Sequence, residues 1–121
     1  MSNVKYITFQ KSAEFTAADA ELLSDWVDVD GYNELIAWLD VSAFAARNNE
    51  TLVVTIERWA GNAAGYTTIA TFTTIETTGA HTEEEQVATY LGGKIRMRAV
   101  LAGTWSSKSM TWSCTAQVKS A

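Results

Sequence analysis

Residues Ser109–Lys119 read SMTWSCTAQVK, and their alternation decides the fold. Met110, Trp112, Cys114, Ala116 and Val118 fall on every second position. The intervening residues are Ser, Thr, Ser, Thr, Gln and Lys. Successive side chains of a strand point to opposite faces, so this pattern describes a strand with one buried and one wetted face. The same period recurs upstream. In Lys94–Leu101, KIRMRAVL, Ile95, Met97, Ala99 and Leu101 alternate with Lys94, Arg96, Arg98 and Val100. In Thr51–Trp59, TLVVTIERW, Leu52, Val54 and Ile56 face one way and Val53, Thr55, Glu57 and Trp59 the other. Working outward, further strands are expected at Val4–Gln10, Ala13–Thr16, Trp26–Val29, Asn33–Val41, Tyr66–Ile75 and Glu83–Tyr90, all rich in residues that suit a pleated surface. Turn-forming pairs such as Asp30-Gly31, Thr78-Gly79 and Gly92-Gly93 separate them.

Short strands at regular spacing predict an all-β, single-domain β-sandwich of jelly-roll type with about eight strands. A chain of 121 residues is one domain. It contains no proline, where average usage would supply about 5%, and proline cannot donate to a strand ladder. The expected core is Leu35, Leu39, Leu52, Val54, Ile56, Ile95, Met97, Trp112, Cys114 and Val118. Ala17–Ser24, AADAELLS, reads as a turn or short helix. Residues 1–23 are expected to form an N-terminal arm or edge strand, and residues 24–121 the sandwich.

The composition excludes several function classes. The net charge of −5 argues against nonspecific nucleic-acid binding, and no apolar run approaches the length of a membrane helix. The N-terminal MSNVKYITFQ lacks the apolar core of a signal peptide. Cys114 stands alone, which suits a reducing compartment and reads as a small hydrophobe. No P-loop, dinucleotide fingerprint, nucleophile elbow or paired cysteines occur. His81 is the sole histidine; with Glu83, Glu84 and Glu85 it matches no metal-ligand spacing, and it reads as a surface loop residue beside a solvated strand end. The D-x-D-G of Asp28–Gly31 lacks the rest of a calcium loop and reads as a strand ending in a turn. The chain is therefore expected to be no enzyme, with no catalytic residue, metal or cofactor.

The aromatic residues carry more. Ile36 and Trp38 lie on the row of their strand opposite to Leu35, Ala37 and Leu39, and Val53 and Trp59 lie opposite to Leu52, Val54 and Ile56. If the two strands are paired neighbours, Ile36, Trp38, Val53 and Trp59 form one exposed patch, the mark of a binding surface with tryptophan anchors; otherwise a segment of the same chain covers it. Lys94, Arg96 and Arg98 share one face. They either clamp an acidic partner surface or pair with acids on the next strand. These seven residues are the candidate interface. Trp38, Trp59 and the loop residue Trp105 also suit stacking on sugar rings.

From Ser24 onward the chain resembles a group of small β-sandwich virion proteins of tailed bacteriophages and prophages. The resemblance rests on Trp26–Tyr32 (WVDVDGY), Leu39–Val41 (LDV), Thr51–Glu57 (TLVVTIE), Tyr66–Gly79 (YTTIATFTTIETTG) and Lys94–Arg98 (KIRMR). It implies a capsid decoration protein that cements neighbouring subunits of the major capsid protein, or a tail, baseplate or fibre component. A carbohydrate-binding module is the alternative that the tryptophans keep open. The implied partners are virion subunits and further copies of the chain, as trimer or dimer, without nucleic acid or membrane. The implied location is the virion, assembled in the host cytoplasm.

Overall fold

The structure, a computed structural model, describes residues 3–15, 21–44, 49–59, 65–104 and 110–120, with the backbone alone for residues 12–15. The alternating segments form nine strands: β1 Val4–Phe15, β2 Glu21–Leu23, β3 Val27–Asp28, β4 Glu34–Phe44, β5 Thr51–Trp59, β6 Tyr66–Thr71, β7 His81–Val87, β8 Lys94–Ala102 and β9 Met110–Lys119. They build two antiparallel sheets. The first has the order β1-β9-β4-β7; the second has the order β2-β8-β5-β6, with β3 also paired to β8. Apart from the β5–β6 hairpin, the chain crosses to the other sheet after each strand, taking β2 and β3 as one interrupted strand. That is the eight-strand jelly roll expected from the sequence.

The two inner faces meet in one core. β9 alternates buried and half-buried residues from Met110 to Val118 and ends on the exposed Lys119, because its apolar row faces the opposite sheet. All ten residues expected in the core are buried, Trp112 being the largest at 0% exposure. Burying each large side chain contributes about 1.5–3 kcal/mol relative to exposure. Phe9, Phe44, Phe72, Ile75 and Leu91 complete the core from edges and loops.

Three departures from simple alternation have local causes. The register of β4 against β9 slips between Val41 and Ala43. This bulge returns Phe44 to the core side, opposite Met110, although its parity alone would point it outward. The strand expected to stop at Val41 therefore runs three residues further. Glu21–Leu23, at the end of the stretch read as a turn or short helix, are strand and pair with Arg98–Val100; residues 16–20 lie outside the described residues. His81–Glu85 are ladder positions of β7 opposite Ala37–Val41 of β4, so His81 opens a strand and the three glutamates continue it.

Gly103 ends β8 at a φ of +90°. A Cβ there would overlap the carbonyl oxygen of Asn49. Glycine is required both by the backbone conformation and by the close approach of a neighbouring segment.

Candidate functional site

The β2/β3 segment supplies the unusual element. Leu23 pairs with Arg98 and Val27 with Ile95. Three residues, Ser24–Trp26, thus stand opposite two, Arg96 and Met97. The extra residue is a bulge, held where Ser24 makes two bonds to the Met97 backbone: Ser24 N–H donates to the Met97 carbonyl at 3.0 Å and the Ser24 side-chain Oγ accepts from Met97 N–H at 2.9 Å. A bulge re-aims side chains, and here the Trp26 ring sits above Arg96, 4.4 Å from the guanidinium carbon to the ring centroid.

Around that contact the outer face of the second sheet is organised in register. Arg96 on β8 lies opposite Glu57 on β5, and Trp59 lies opposite Tyr66 on β6. Arg96 Nε donates to Glu57 Oε1 at 2.9 Å. Its guanidinium is also 5.0 Å from the Tyr66 ring centroid, so one cation touches two aromatic rings and a carboxylate. Trp26 and Trp59 meet edge to face, centroids 5.4 Å apart and planes at 84°, a favoured geometry for aromatic pairs. Glu57 points away from the core yet is fully buried beneath this cluster, and its Oε2 has no hydrogen-bond partner among the described residues. Trp59 is 43%, Tyr66 42% and Leu23 48% exposed. Arg98 Nε donates to Glu21 Oε2 at 2.7 Å, and Lys94 stands exposed opposite Asp28.

Five of the seven candidate interface residues, Val53, Trp59, Lys94, Arg96 and Arg98, are on this face. Ile36 and Trp38 are not. They lie on β4, in the other sheet, and the outer faces of a sandwich point in opposite directions. The single four-residue patch is thereby corrected: β4 and β5 are consecutive in the chain but belong to different sheets. Trp38 is half-buried and donates its indole N–H to Glu84 Oε1 at 2.9 Å. Arg96 and Arg98 pair with acids of neighbouring strands, the second of the two arrangements open from sequence. Trp26 and Tyr66 were missing from the candidate residues. Tyr66 was detectable as the cross-strand partner of Trp59. Trp26 shares the parity of Asp28, opposite to Val27, so alternation puts it on the outer face; what alternation could not show is that β3 lies beside β8, with Arg96 beneath the ring. Trp105 lies outside the described residues.

The remaining chemistry is sparse. His81 Nε2 is 2.6 Å from the Thr77 carbonyl oxygen, at the flank between the sheets. A groove of about 490 Å³ opens there, lined in part by Thr73, Thr77, His81 and Glu83. Burial raises the Glu83 carboxyl, but bonds from the Thr73 N–H at 2.9 and 3.1 Å outweigh it and hold the group below its ordinary range. The Asp28–Gly31 segment forms the expected turn: Asp28 Oδ1 accepts from Asp30 N–H, Tyr32 N–H donates to the Val29 carbonyl, and Gly31 has a φ of +88°. Burial pushes the Cys114 thiol up to about 12, which makes it a poor nucleophile. Among the described residues no group of three or more His, Cys, Asp or Glu side chains is placed to hold a metal ion, and no helix is long and apolar enough to cross a membrane.

No protein-family model and no curated protein matches the chain. Solved structures of similar fold do exist. One is a chain of the T=1 particles derived from infectious bursal disease virus, with a TM-score of 0.62 and 14% identity over 98% of this chain and 32% of that one. Another is a chain of the Gx strain of the same virus, with a TM-score of 0.62 and 15% identity over 99% of this chain and 33% of that one. A third is YomS, a protein derived from the SPBc2 prophage, with a TM-score of 0.54 and 12% identity over 99% of this chain and 96% of that one. The chain thus spans about a third of the bursal disease virus chains and nearly all of the prophage-derived protein. At these identities the likeness establishes a shared jelly-roll fold.

Proposed function

We propose that the chain is a virion structural protein that docks onto neighbouring shell subunits, most specifically as a capsid decoration protein of a tailed phage, and that it acts without catalysis. The observation that carries the reading is the aromatic and arginine cluster on the outer face of the second sheet. Trp59, Tyr66 and Leu23 expose apolar surface there, while Arg96 and the Trp26 ring hold the cluster rigid. Interface hot spots are enriched in Trp, Tyr and Arg, and rigid anchors lose little entropy on binding. The fold likeness to virus particle chains and to a prophage-derived protein supports the setting. Burial of roughly 800 Å² per partner makes a stable contact, and repetition over a symmetric lattice multiplies it by avidity.

The test is to add the purified protein to capsids that lack it and to image them by electron cryomicroscopy. Ordered density at repeated lattice positions, contacting Trp59 and Tyr66, is the expected result. The W59A/Y66A variant should lose that density while keeping its thermal transition. Density on tails alone would move the protein to a tail component. Bare particles together with binding on a glycan array would favour stacking of Trp59 and Tyr66 on sugars.

A further inference from the structure

The first sheet ends in two unpaired edges of opposite charge. β1 and β7 are its terminal strands, each hydrogen-bonded to one strand only among the described residues. Val4–Thr8 of β1 keep a regular register against β9. This stretch carries Lys5, half-buried with its ammonium donating to the Asp28 carbonyl at 2.8 Å, and Lys11 follows, exposed on the same strand. β7 carries Glu83, Glu84 and Glu85 on the other edge. Among the described residues no backbone group of β7 has a partner beyond the β4 ladder. A free edge is a template for another strand, and charges on it decide which strand is admitted.

The geometry points to head-to-tail strand addition between copies of this chain, β7 of one copy pairing antiparallel with β1 of the next. Direction permits this pairing and charge selects it over the two symmetric ones. The pairs β1–β9, β9–β4 and β4–β7 are all antiparallel, so β1 and β7 run in opposite directions. A translated copy therefore continues the ladder as an antiparallel sheet. Pairing β7 with β7 would set three glutamates against three, and pairing β1 with β1 would bring lysines together; like charges opposite one another destabilise a sheet. Only β1 with β7 sets lysine against glutamate. The acidic edge is already crowded. A hydrogen bond to Glu83, then burial and the Glu83 charge, hold the Glu85 carboxyl above its ordinary range, and a cation across the edge would relieve this. Such a contact is heterologous, so it closes into a ring or runs on as a filament according to its rotation. It leaves the Trp59–Tyr66 face free, and it stands whether or not that face docks on a shell.

Sedimentation velocity on the full chain at low salt tests the proposal. Wild type should sediment faster as its concentration rises, and added salt should reverse the change because it screens the edge charges. K5E/K11E makes both edges acidic and E84K/E85K makes both edges basic. Each variant alone should self-associate at least about tenfold more weakly. Their equimolar mixture should recover assembly, since every edge then meets its opposite, and recovery shows that both variants fold. Hydrogen exchange on wild type gives a reading without substitutions: amides of Val4–Thr8 and His81–Val87 should gain protection as concentration rises. A wild type that stays monomeric into the millimolar range, variants that assemble as wild type does, folded variants whose mixture stays monomeric, or edge amides indifferent to concentration would each overturn it.

Discussion

Replacing Arg96 with methionine removes the charge that faces Glu57 while keeping an apolar stem under the Trp26 and Tyr66 rings. The cost follows from what is left behind. Glu57 is fully buried, and its Oε2 already has no hydrogen-bond partner among the described residues. Without Arg96, Oε1 loses its 2.9 Å partner as well. A buried carboxylate stripped of its counter-charge costs about 3–5 kcal/mol. Two cation–π contacts, about 0.5–1 kcal/mol each, go with it. The reverse change, E57Q, is milder. The Arg96 side chain is 15% exposed, keeps both rings and regains water, so a loss of about 1–2 kcal/mol is expected. The double variant E57L/R96M removes both charges together and should fall within about 1 kcal/mol of wild type. Urea unfolding separates these cases. With a slope of about 1.5 kcal/mol/M, R96M should lower the midpoint by about 2 M or more at unchanged slope. If R96M costs no more than E57Q, or if the double variant costs the sum of the two, the pair is not coupled as its geometry requires.

Four further outcomes follow from single features of the fold. G103A should destabilise by about 2 kcal/mol or more, because the new Cβ meets Asn49 and the backbone is held at positive φ; thermal melting measures it, and a neutral result would remove the close approach. Glu83 is depressed below its ordinary 4.5, so its contribution is present above that value and disappears as pH falls through the lower folded value; E83Q should therefore be less stable than wild type at neutral pH and should match it in strong acid. Glu85 has the opposite sign, being raised, so E85Q should not lower stability at neutral pH. Cys114, buried with its thiol pushed up to about 12, should resist iodoacetamide in the native state and react in urea; labelling of the folded protein would place the sulfur at the surface.

The strands were readable because their inner faces are made of one kind of residue. β9 and β8 each alternate without interruption, and every residue expected in the core from the three clearest strands is buried. What resisted reading is where alternation breaks. Phe44 reaches the core only through a bulge, another bulge shifts Leu23 and Trp26 onto the same outer face, and Glu21–Leu23 is too short to show a period. Sheet membership resisted for a different reason. Alternation states which side chains share a face of one strand, but it is silent on which strand lies beside it. Pairing Ile36 and Trp38 with Val53 and Trp59 assumed that consecutive strands are neighbours. In a jelly roll they usually are not, since the chain changes sheet between them.

The same crossing explains why one outer face suits docking better than the other. On the first sheet, the outward row across the strands reads Tyr6, Gln117, Ile36 and Gln86, and the next reads Thr8, Thr115, Trp38 and Glu84. Hydroxyls and amides dominate these rows, and the one tryptophan in them is half-buried with its N–H already bonded to Glu84. Tyr6 is the one ring that stands well exposed there, at 77%, on the edge strand and away from Trp38; a partner would otherwise meet groups that water satisfies equally well. On the second sheet the outward groups have been brought together by a bulge and two cross-strand pairs. Two rings remain more than 40% exposed beside a guanidinium whose hydrogen bond and ring contacts are fixed within the chain. Covering those rings removes apolar area from water without breaking a bond that the free protein makes. That difference, rather than the number of tryptophans, is why the proposed docking role falls to the face built by β3, β8, β5 and β6.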